Sequence, residues 1–596
     1  MDEKEARMHK GIGIRGRNGL LIASAAYTFA LLMMSGLVTN EVLADTVENR
    51  LIEKNDKSII KSANLNEATV DTSAVVNKIN RDNQIDKIKN PAGWKTLDVM
   101  QRVRSIPAGS ICVRKIEISK DSRYLPDMRK LVAPYEGTWM TATMVNDLVQ
   151  ELTKALWKAG YVTSRVEVPK QNMVSGTLRL HVVAGRIEDI RYKTDRYGTW
   201  KTAFPIRKGD VLNLRSLEQG LEQMRAIPNQ EVKAKLLPGT KADTSIIELD
   251  VKRTKPWDIS LSIDDGGYEP TGRLEGSISG NVYNPLGIGD SLSLSYSKDL
   301  AHRHTSSAYG TDTRSIAYRM PLGNYTFTLG WMSYKYHQQV AARTPYTWQG
   351  ETKNISLGVE RLLYRDSVSK TSAAFNLIKK DKRSYLDGEE VGVQRQHTTV
   401  LELGIKHRRY FGEKRLDLYT YYRQGVPWLG AEQQEWEGQY GSGTTMYHLF
   451  GLQGTLLVPL DFGQKRGQYL LRFVGQYTPN TLFLSDQMSL GGRYTVKGFS
   501  GDHTLTGESG YYLRNEVTFP TLGKRFYPYV GLDIGHVWGP STEDLLGTML
   551  VGAYVGVKGQ LMNGLYIDGF VGTPVYKPEG FKASKTAFGF SASVTY

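Results

Sequence analysis

At 596 residues and 66.8 kDa the chain exceeds what one ordinary hydrophobic core can organise, so several folded units are expected. Only 40% of it is hydrophobic, its mean hydropathy is −0.38, and beyond the N-terminus no run of about 18 apolar residues occurs; transmembrane helices are excluded, and a membrane protein of this composition must be a β-barrel. The formal charge of +15 comes with no compact basic patch, zinc spacing or RNA-binding signature, so nucleic acid is not expected as a partner.

Residues 1–44 read as an export signal. Lys4, Arg7, Lys10, Arg15 and Arg17 form a charged start, Leu20 to Met34 an apolar run, and Val42-Leu-Ala44 a cleavage site, with cleavage expected after Ala44; a retained N-terminal anchor is the alternative, for which the apolar run is short. An exported basic protein meets anionic lipid and lipopolysaccharide. Residues 45–110 are rich in Asn, Lys, Asp and Ser, with weak helical periodicity near Leu51, Ile59 and Ile60, and read as a short helix and a flexible linker, with disorder throughout as the alternative.

Two small α+β modules follow, over 111–186 and 187–254. In the first, Ile111 to Ile118 reads as a strand. Thr143 to Lys158 reads as a helix with Val145, Leu148, Leu152 and Leu156 on one face, and Gly160 ends it. Tyr161 to Val168 and Thr177 to Val183 are further strands. The lone cysteine, Cys112, cannot form an internal disulfide and reads as a small buried apolar side chain. In the second module Ile187 to Tyr192, a helix from Leu214 to Ile227, Glu231 to Leu237 and Ser245 to Lys252 repeat the order. Neither module carries a catalytic constellation, no Ser/His/Asp or His/Glu metal spacing stands out, and no metal or other cofactor is expected.

From residue 255 to 596 the period of two takes over, as in Trp257 to Ile263 and Leu292 to Ser297. At about 9 to 11 residues per membrane strand plus connections, roughly 14 to 18 strands fit, an even number, with sixteen expected. Tyrosine, at 34 against 16 phenylalanines, suits the interfacial girdles of a barrel. The end of the chain alternates strictly: Phe588, Phe590, Ala592, Val594 and Tyr596 on one face, Gly589, Ser591, Ser593 and Thr595 on the other. A soluble sandwich strand reads the same way, so the rest of the chain decides between them.

One long interruption, Leu490 to Gly501, departs from this texture. Its tip, Val496, Lys497, Gly498 and Phe499, joins apolar, cationic and aromatic groups where a surface loop would be polar, so it reads as built to dock on protein. In Tyr529 to His536, Val530, Leu532 and Ile534 share one face, which puts Gly531, Asp533 and Gly535 on the other. Two glycines flanking one carboxylate suggest a recess for the loop, with Lys497 paired to Asp533. From the residues alone, a solvated Lys497 and an ordinary lumen-lining Asp533 is the alternative.

Several stretches resemble one family. Ala159-Gly-Tyr-Val-Thr-Ser-Arg165 with Ser175-Gly-Thr-Leu-Arg-Leu180 is similar to a first POTRA domain, Thr271-Gly-Arg273 leading to Asn284-Pro-Leu-Gly287 to a first barrel hairpin, Val496-Lys-Gly-Phe499 to a lumenal loop signature, and Asp533-Ile-Gly535 to its strand motif. The chain from about Ile111 to Tyr596 resembles the outer-membrane transporters of two-partner secretion, the TpsB type of haemolysin secretion/activation proteins, within the POTRA-containing barrel superfamily. The resemblance implies two periplasmic POTRA domains and a C-terminal transmembrane barrel, inserted by the barrel assembly machinery through a terminal strand carrying Phe588, Phe590, Val594 and Tyr596. It implies a pore exporting one large partner protein, captured by strand addition at an edge such as Tyr161 to Val168 or Glu231 to Leu237, with the linker helix and the loop in the resting lumen. A barrel assembly factor is the alternative, and an enzyme is not expected. Two positions depart from the family pattern: Lys497 stands where the family carries arginine, and Tyr596 where phenylalanine is common.

Overall fold

The computed structural model describes Val70–Asp71 and residues 109–596, apart from 194–197, 269–270, 301–308, 341–345, 434–436, 438–441, 522–524 and 563. The signal segment and the N-terminal helix expected before residue 61 lie outside the described residues.

In the first module, helix α1 (Ala142–Lys158) begins where the Thr141 hydroxyl accepts from the Met144 N–H at 3.2 Å, the usual satisfaction of a free helix-start donor. Leu148, Leu152 and Leu156, four residues apart, fall on one face and are wholly buried against the strands Lys115–Lys120, Thr177–Val183 and Arg165–Glu167. Two expectations are corrected. The single strand Ile111 to Ile118 is broken, because the N–H groups of Arg114 and Lys115 both turn to the Gly176 carbonyl; Ile111–Val113 then pairs with Thr138–Met140, while Lys115–Lys120 runs parallel to Thr177–Val183. The strand expected over Tyr161 to Val168 shrinks to Arg165–Glu167, since the N–H of Tyr161 returns to Leu156 and that of Ser164 to Tyr161 in the turn closing α1. Cys112 is half-buried rather than buried, because its two-stranded ribbon is covered on one side only.

The second module repeats the plan around α2 (Leu214–Arg225), capped by the Asn213 side chain accepting from the Arg215 N–H at 2.8 Å. Its sheet orders Arg186–Tyr192, Thr244–Arg253, Gln230–Pro238 and, parallel on the outer edge, Val70–Asp71. Leu217 and Leu221 of α2 pack on Ile187, Leu236, Ile247 and Leu249.

The remaining chain closes into a barrel of sixteen antiparallel strands. They are β1 (Trp257–Asp264), β2 (Glu275–Tyr283), β3 (Ser291–Asp299), β4 (Tyr309–Leu322), β5 (Tyr325–Val340), β6 (Tyr346–Arg365), β7 (Ser369–Leu386), β8 (Gln396–Phe411), β9 (Lys414–Val426), β10 (His448–Phe462), β11 (Lys465–Tyr477), β12 (Ser509–Thr518), β13 (Phe526–Trp538), β14 (Met549–Met562), β15 (Leu565–Tyr576) and β16 (Ala587–Thr595). The two-residue strand Glu389–Glu390 prolongs the β7 hairpin and is not a stave. Pairing of β16 with β1 closes the ring and removes both edges. Alternation sorts the side chains: Leu261, Leu294, Leu329, Leu403, Leu532 and Val555 stand exposed on the outside.

The second module sits directly under the short turns of the barrel. Thr202 donates its hydroxyl to Ile288 O at 2.5 Å and accepts at its carbonyl from the Gly323 N–H, and Arg319 reaches Gln223 at 2.6 Å. On α2, Glu222 is gripped by Lys370 at 2.7 Å and by Arg365. Burial pushes the Glu222 carboxyl up, but the Lys370 and Arg365 charges outweigh it and hold it down at about 2. A depressed carboxyl stabilises the contact fully above about pH 5 and loses that contribution as pH falls toward 2. With 41% of the side chain in water, its share is about 1 kcal/mol or less. Amide exchange over Leu214–Arg225 is expected to quicken in Glu222→Gln at neutral pH, and to lose the acid-induced quickening that the unsubstituted protein shows.

Candidate functional site

The connection from β11 to β12, residues 478–508, starts at the barrel end away from the modules and folds back into the lumen. A ribbon of Met488–Leu490 paired with Leu505–Gly507 forms its stalk. Apolar side chains drive the insertion: Leu490, Val496, Phe499 and Leu505 pack against Tyr512, Val537 and Leu550 of the wall. The tip turns tightly, with the N–H groups of Thr495 and Val496 donating to Gly492 O, and the Thr495 hydroxyl accepting from the Gly491 N–H at 3.2 Å. Arg493 ties the tip to Asp265, between β1 and β2, at 2.9 Å, and Phe499 lies edge-on to Phe581 with ring centres 6.1 Å apart.

Backbone then meets backbone. Gly498 has φ +112°, and a Cβ there would sit 2.6 Å from Thr573 O and 2.9 Å from Gly552 Cα. A Cβ on Gly572 would lie 2.8 Å from Gly498 Cα, and one on Gly552 would collide with Lys497 O. Three glycines on three elements thus allow the tip to press on the wall.

Asp533 lies at this contact with none of its surface in water. Its Oδ2 accepts from the backbone N–H of Lys497 at 2.9 Å and stands 3.5 Å from Arg514 Nε, the residue opposite it on β12. The Lys497 ammonium goes elsewhere: 3.7 Å from Glu516 Oε2, whose other oxygen accepts from Lys558 Nζ at 2.8 Å, and 4.6 to 5.1 Å from the ring centres of Tyr554, Tyr529 and Phe570. The expected ion pair between Lys497 and Asp533 is therefore corrected. The residues meet, but through the Lys497 main chain, because the four-carbon stem carries its charge past Asp533 to Glu516, while Arg514 supplies the guanidinium facing Asp533.

The glycines flanking Asp533 divide the recess expected of them. Gly535 admits Leu490 and Val496 of the loop, and Gly531 admits the ring of Tyr554. Arg514, Glu516, Lys558, Tyr529, Tyr554, Phe570 and the glycines 552 and 572 were not singled out from the sequence. The available signal was register: each is the inward member of its strand's alternation, with Leu513, Val517, Val555, Val557 and Val571 outward. On the last strand Phe588, Phe590, Val594 and Tyr596 all stand exposed on the outer face, and Tyr596 packs beside Trp257 with Lys255 3.9 Å from its ring centre.

Tandem α+β modules below a closed sixteen-strand barrel, with a long connection folded into its lumen, define a POTRA-bearing outer-membrane transporter. The family model for haemolysin secretion/activation protein ShlB/FhaC/HecB matches residues 243–559, and POTRA-domain models match 112–185, the ShlB type, and 186–238. Outer membrane transporter CdiB-2 of Burkholderia pseudomallei is 38% identical over 78% of this chain and 80% of its own length, and hemolysin transporter protein ShlB of Serratia marcescens 30% identical over 66% and 70%. Among solved structures, CdiB from Escherichia coli superposes with a TM-score of 0.76 at 22% identity, covering 94% of this chain and 99% of that one. The chain belongs to the ShlB/FhaC/HecB family and is an outer-membrane transporter of two-partner secretion, its POTRA domains in the periplasm.

Gly498→Ala is expected to weaken loop docking by about 1 to 3 kcal/mol, from strain at positive φ and collision with the wall. Amide exchange over residues 490–505 should rise while that of β13 and β14 stays unchanged. Gly492→Ala, whose new carbon would meet nothing nearer than 3.8 Å, is the matched control and should alter exchange by no more than about 0.5 kcal/mol.

Proposed function

We propose that this transporter exports a single large partner protein of the haemolysin, adhesin or contact-dependent inhibition type, and that the docked Val496-Lys-Gly-Phe499 tip holds the resting pore in one defined state. The observation that carries the reading is the burial of Asp533 against the tip's own main chain and Arg514, beside the Lys497, Glu516 and Lys558 cluster. A contact built from buried charges and close backbone is bistable: once separated, each member is left without its partner in a poorly hydrated wall. The similarity to a CdiB transporter and a hemolysin transporter supports the cargo class.

Capture would occur at the strand Gln230–Pro238 of the second POTRA domain. Its outer edge already takes up Val70–Asp71 in parallel, with Val70 opposite Ala234 and Asp71 opposite Lys235. An edge that accepts one extended segment through main-chain hydrogen bonds suits another, so an arriving cargo strand would displace this one. Folding of the cargo outside the cell would drive transport, with no nucleotide and no catalytic step in the transporter itself. The terminal strand with Phe588, Phe590, Val594 and Tyr596 is proposed as the segment read by the barrel assembly machinery. The alternative of a barrel assembly factor is not retained, because the family model and both relatives are those of secretion transporters.

Asp533→Ala and Lys497→Ala each remove one member of a buried charged set, a loss of about 3 to 5 kcal/mol for such sets, and are expected to lower export of the partner protein by about tenfold or more. The readout is secreted cargo at equal transporter level, with heat-modifiable gel migration confirming the barrel. Unchanged secretion by both variants would refute the loop-docking proposal.

A further inference from the structure

The outer wall of the barrel is not uniform at its extracellular rim. On β10 to β16 the outward positions there are aromatic and uncharged, with Phe450, Tyr477, Trp538, Tyr576 and Phe588 exposed. On β3 to β7 the outward positions at the corresponding end are charged, with bases outnumbering acids. Pairing register places Lys298 opposite Asp312, Asp312 opposite Lys335, Lys335 opposite Glu351, and Glu351 opposite Arg383, so these groups form one row across five strands. Arg314, Lys353 and Asp381 lie one outward step lower, Asp381 opposite Lys353 and 2.7 Å from His397 Nδ1, and all five bases are exposed at the surface.

The acids around the row only partly neutralise it: Asp381 faces Lys353 across the strand pair, and Glu390 is shared by Arg383 at 3.8 Å and Arg395 at 3.6 Å. Lys335 and Lys353 share a single carboxylate oxygen of Glu351, at 3.2 and 3.0 Å, so one ammonium is in surplus and the two lie within about 6 Å of each other. Arg314 holds Asp312 at 3.0 Å, with the Tyr296 hydroxyl donating to the same acid, and Lys298 is a second base opposite it. Below the row the outward residues become Leu294, Ile316, Leu329 and Ile355, all exposed toward the acyl chains. Surplus bases directly above an apolar wall fit a ligand with anionic groups at one end and hydrocarbon at the other.

We propose that the outward face of β3 to β7 is a binding site for the phosphates of an outer-leaflet phosphoglycolipid, with Lys335 and Lys353 bracketing one phosphate and Arg314 and Arg383 flanking it. The acyl chains lie on the leucine and isoleucine wall beneath. A free phosphate would gain the charges but not the wall. The site rests on the outer-membrane placement of the barrel and is independent of the loop-docking reading.

The test is native mass spectrometry of the full-length protein in detergent with bis-phosphorylated lipid A, and with the same lipid after removal of both phosphates. The unsubstituted protein is expected to retain the phosphorylated form preferentially, a comparison independent of any variant's folding. A variant with Arg314→Gln, Lys335→Gln, Lys353→Gln and Arg383→Gln should retain about tenfold less or lower still, four surface cations being removed. A control with Arg129→Gln, Lys158→Gln, Lys233→Gln and Lys241→Gln, equal in charge but on the POTRA domains, should match the unsubstituted protein. Equal retention of the two lipids, equal retention by the rim variant, an equal loss in the POTRA control, or displacement of the lipid by excess inorganic phosphate would each overturn the proposal.

Discussion

A carboxylate with no access to water, Asp533, sets the terms for the lumen of this barrel. An isolated ionised carboxylate in such a place costs several kcal/mol, so the wall around it must bring a donor and a positive charge. The charge comes from the neighbouring strand, where Arg514 stands opposite it, and the donor comes from a loop some 36 residues earlier in the chain. A wall residue thus depends on an inserted loop for its hydrogen bond, and the loop depends on the wall for its position. Through that mutual requirement a long connection becomes part of the pore interior instead of a surface excursion.

The lysine at position 497 shows how the arrangement tolerates a shorter, rounder cation. A guanidinium forms planar two-pronged bonds, and an ammonium does not. Here the ammonium is surrounded by the faces of Tyr529, Tyr554 and Phe570 and directed at Glu516, which Lys558 holds from the other side. Ring faces attract a cation without fixing its orientation, worth about 2 kcal/mol when water is excluded. Position and charge are kept while the directional demand passes to the Lys497 main chain and to Arg514.

Much of the architecture could be read from periodicity. Leu148, Leu152 and Leu156 announced a helix, Val530, Leu532 and Ile534 an outward strand face, and the terminal run from Phe588 to Tyr596 a lipid-facing stave. Composition limited the membrane readings to a barrel, and chain length to an even strand number near that observed. Two errors in the first POTRA domain share a cause: Arg114 and Tyr161 occur in apolar, strand-like runs, but their N–H groups are claimed by Gly176 and Leu156, partners that propensity does not reveal. At the site, the loop tip and Asp533 stood out because each breaks its local pattern. Arg514, Glu516 and Lys558 did not, since a charge at an inward position of a barrel strand is ordinary; only the register between β12, β13 and β14 brings them to one spot. The pairing of Lys497 was misread because opposite charges on two elements were matched directly, without allowing that a backbone N–H could satisfy the acid and release the side chain to reach farther.

The most direct test of the account asks whether the loop occupies the lumen in living cells. With Cys112→Ser as background, Val496→Cys and Gly535→Cys place one sulfur on the loop tip and one on the wall. A carbon built on Gly535 lies 3.0 Å from the Val496 side chain and 2.8 Å from the flexible end of Leu490. The Gly535→Cys single variant, with amide exchange over residues 490–505 unchanged, is therefore the control that the new side chain leaves the loop in place. Oxidation of intact cells is predicted to link the two nearly quantitatively in the resting transporter, seen as a reducible change in migration of the denatured protein. Two cysteines that stay free and separately alkylated, in a barrel that is folded and inserted, would contradict it.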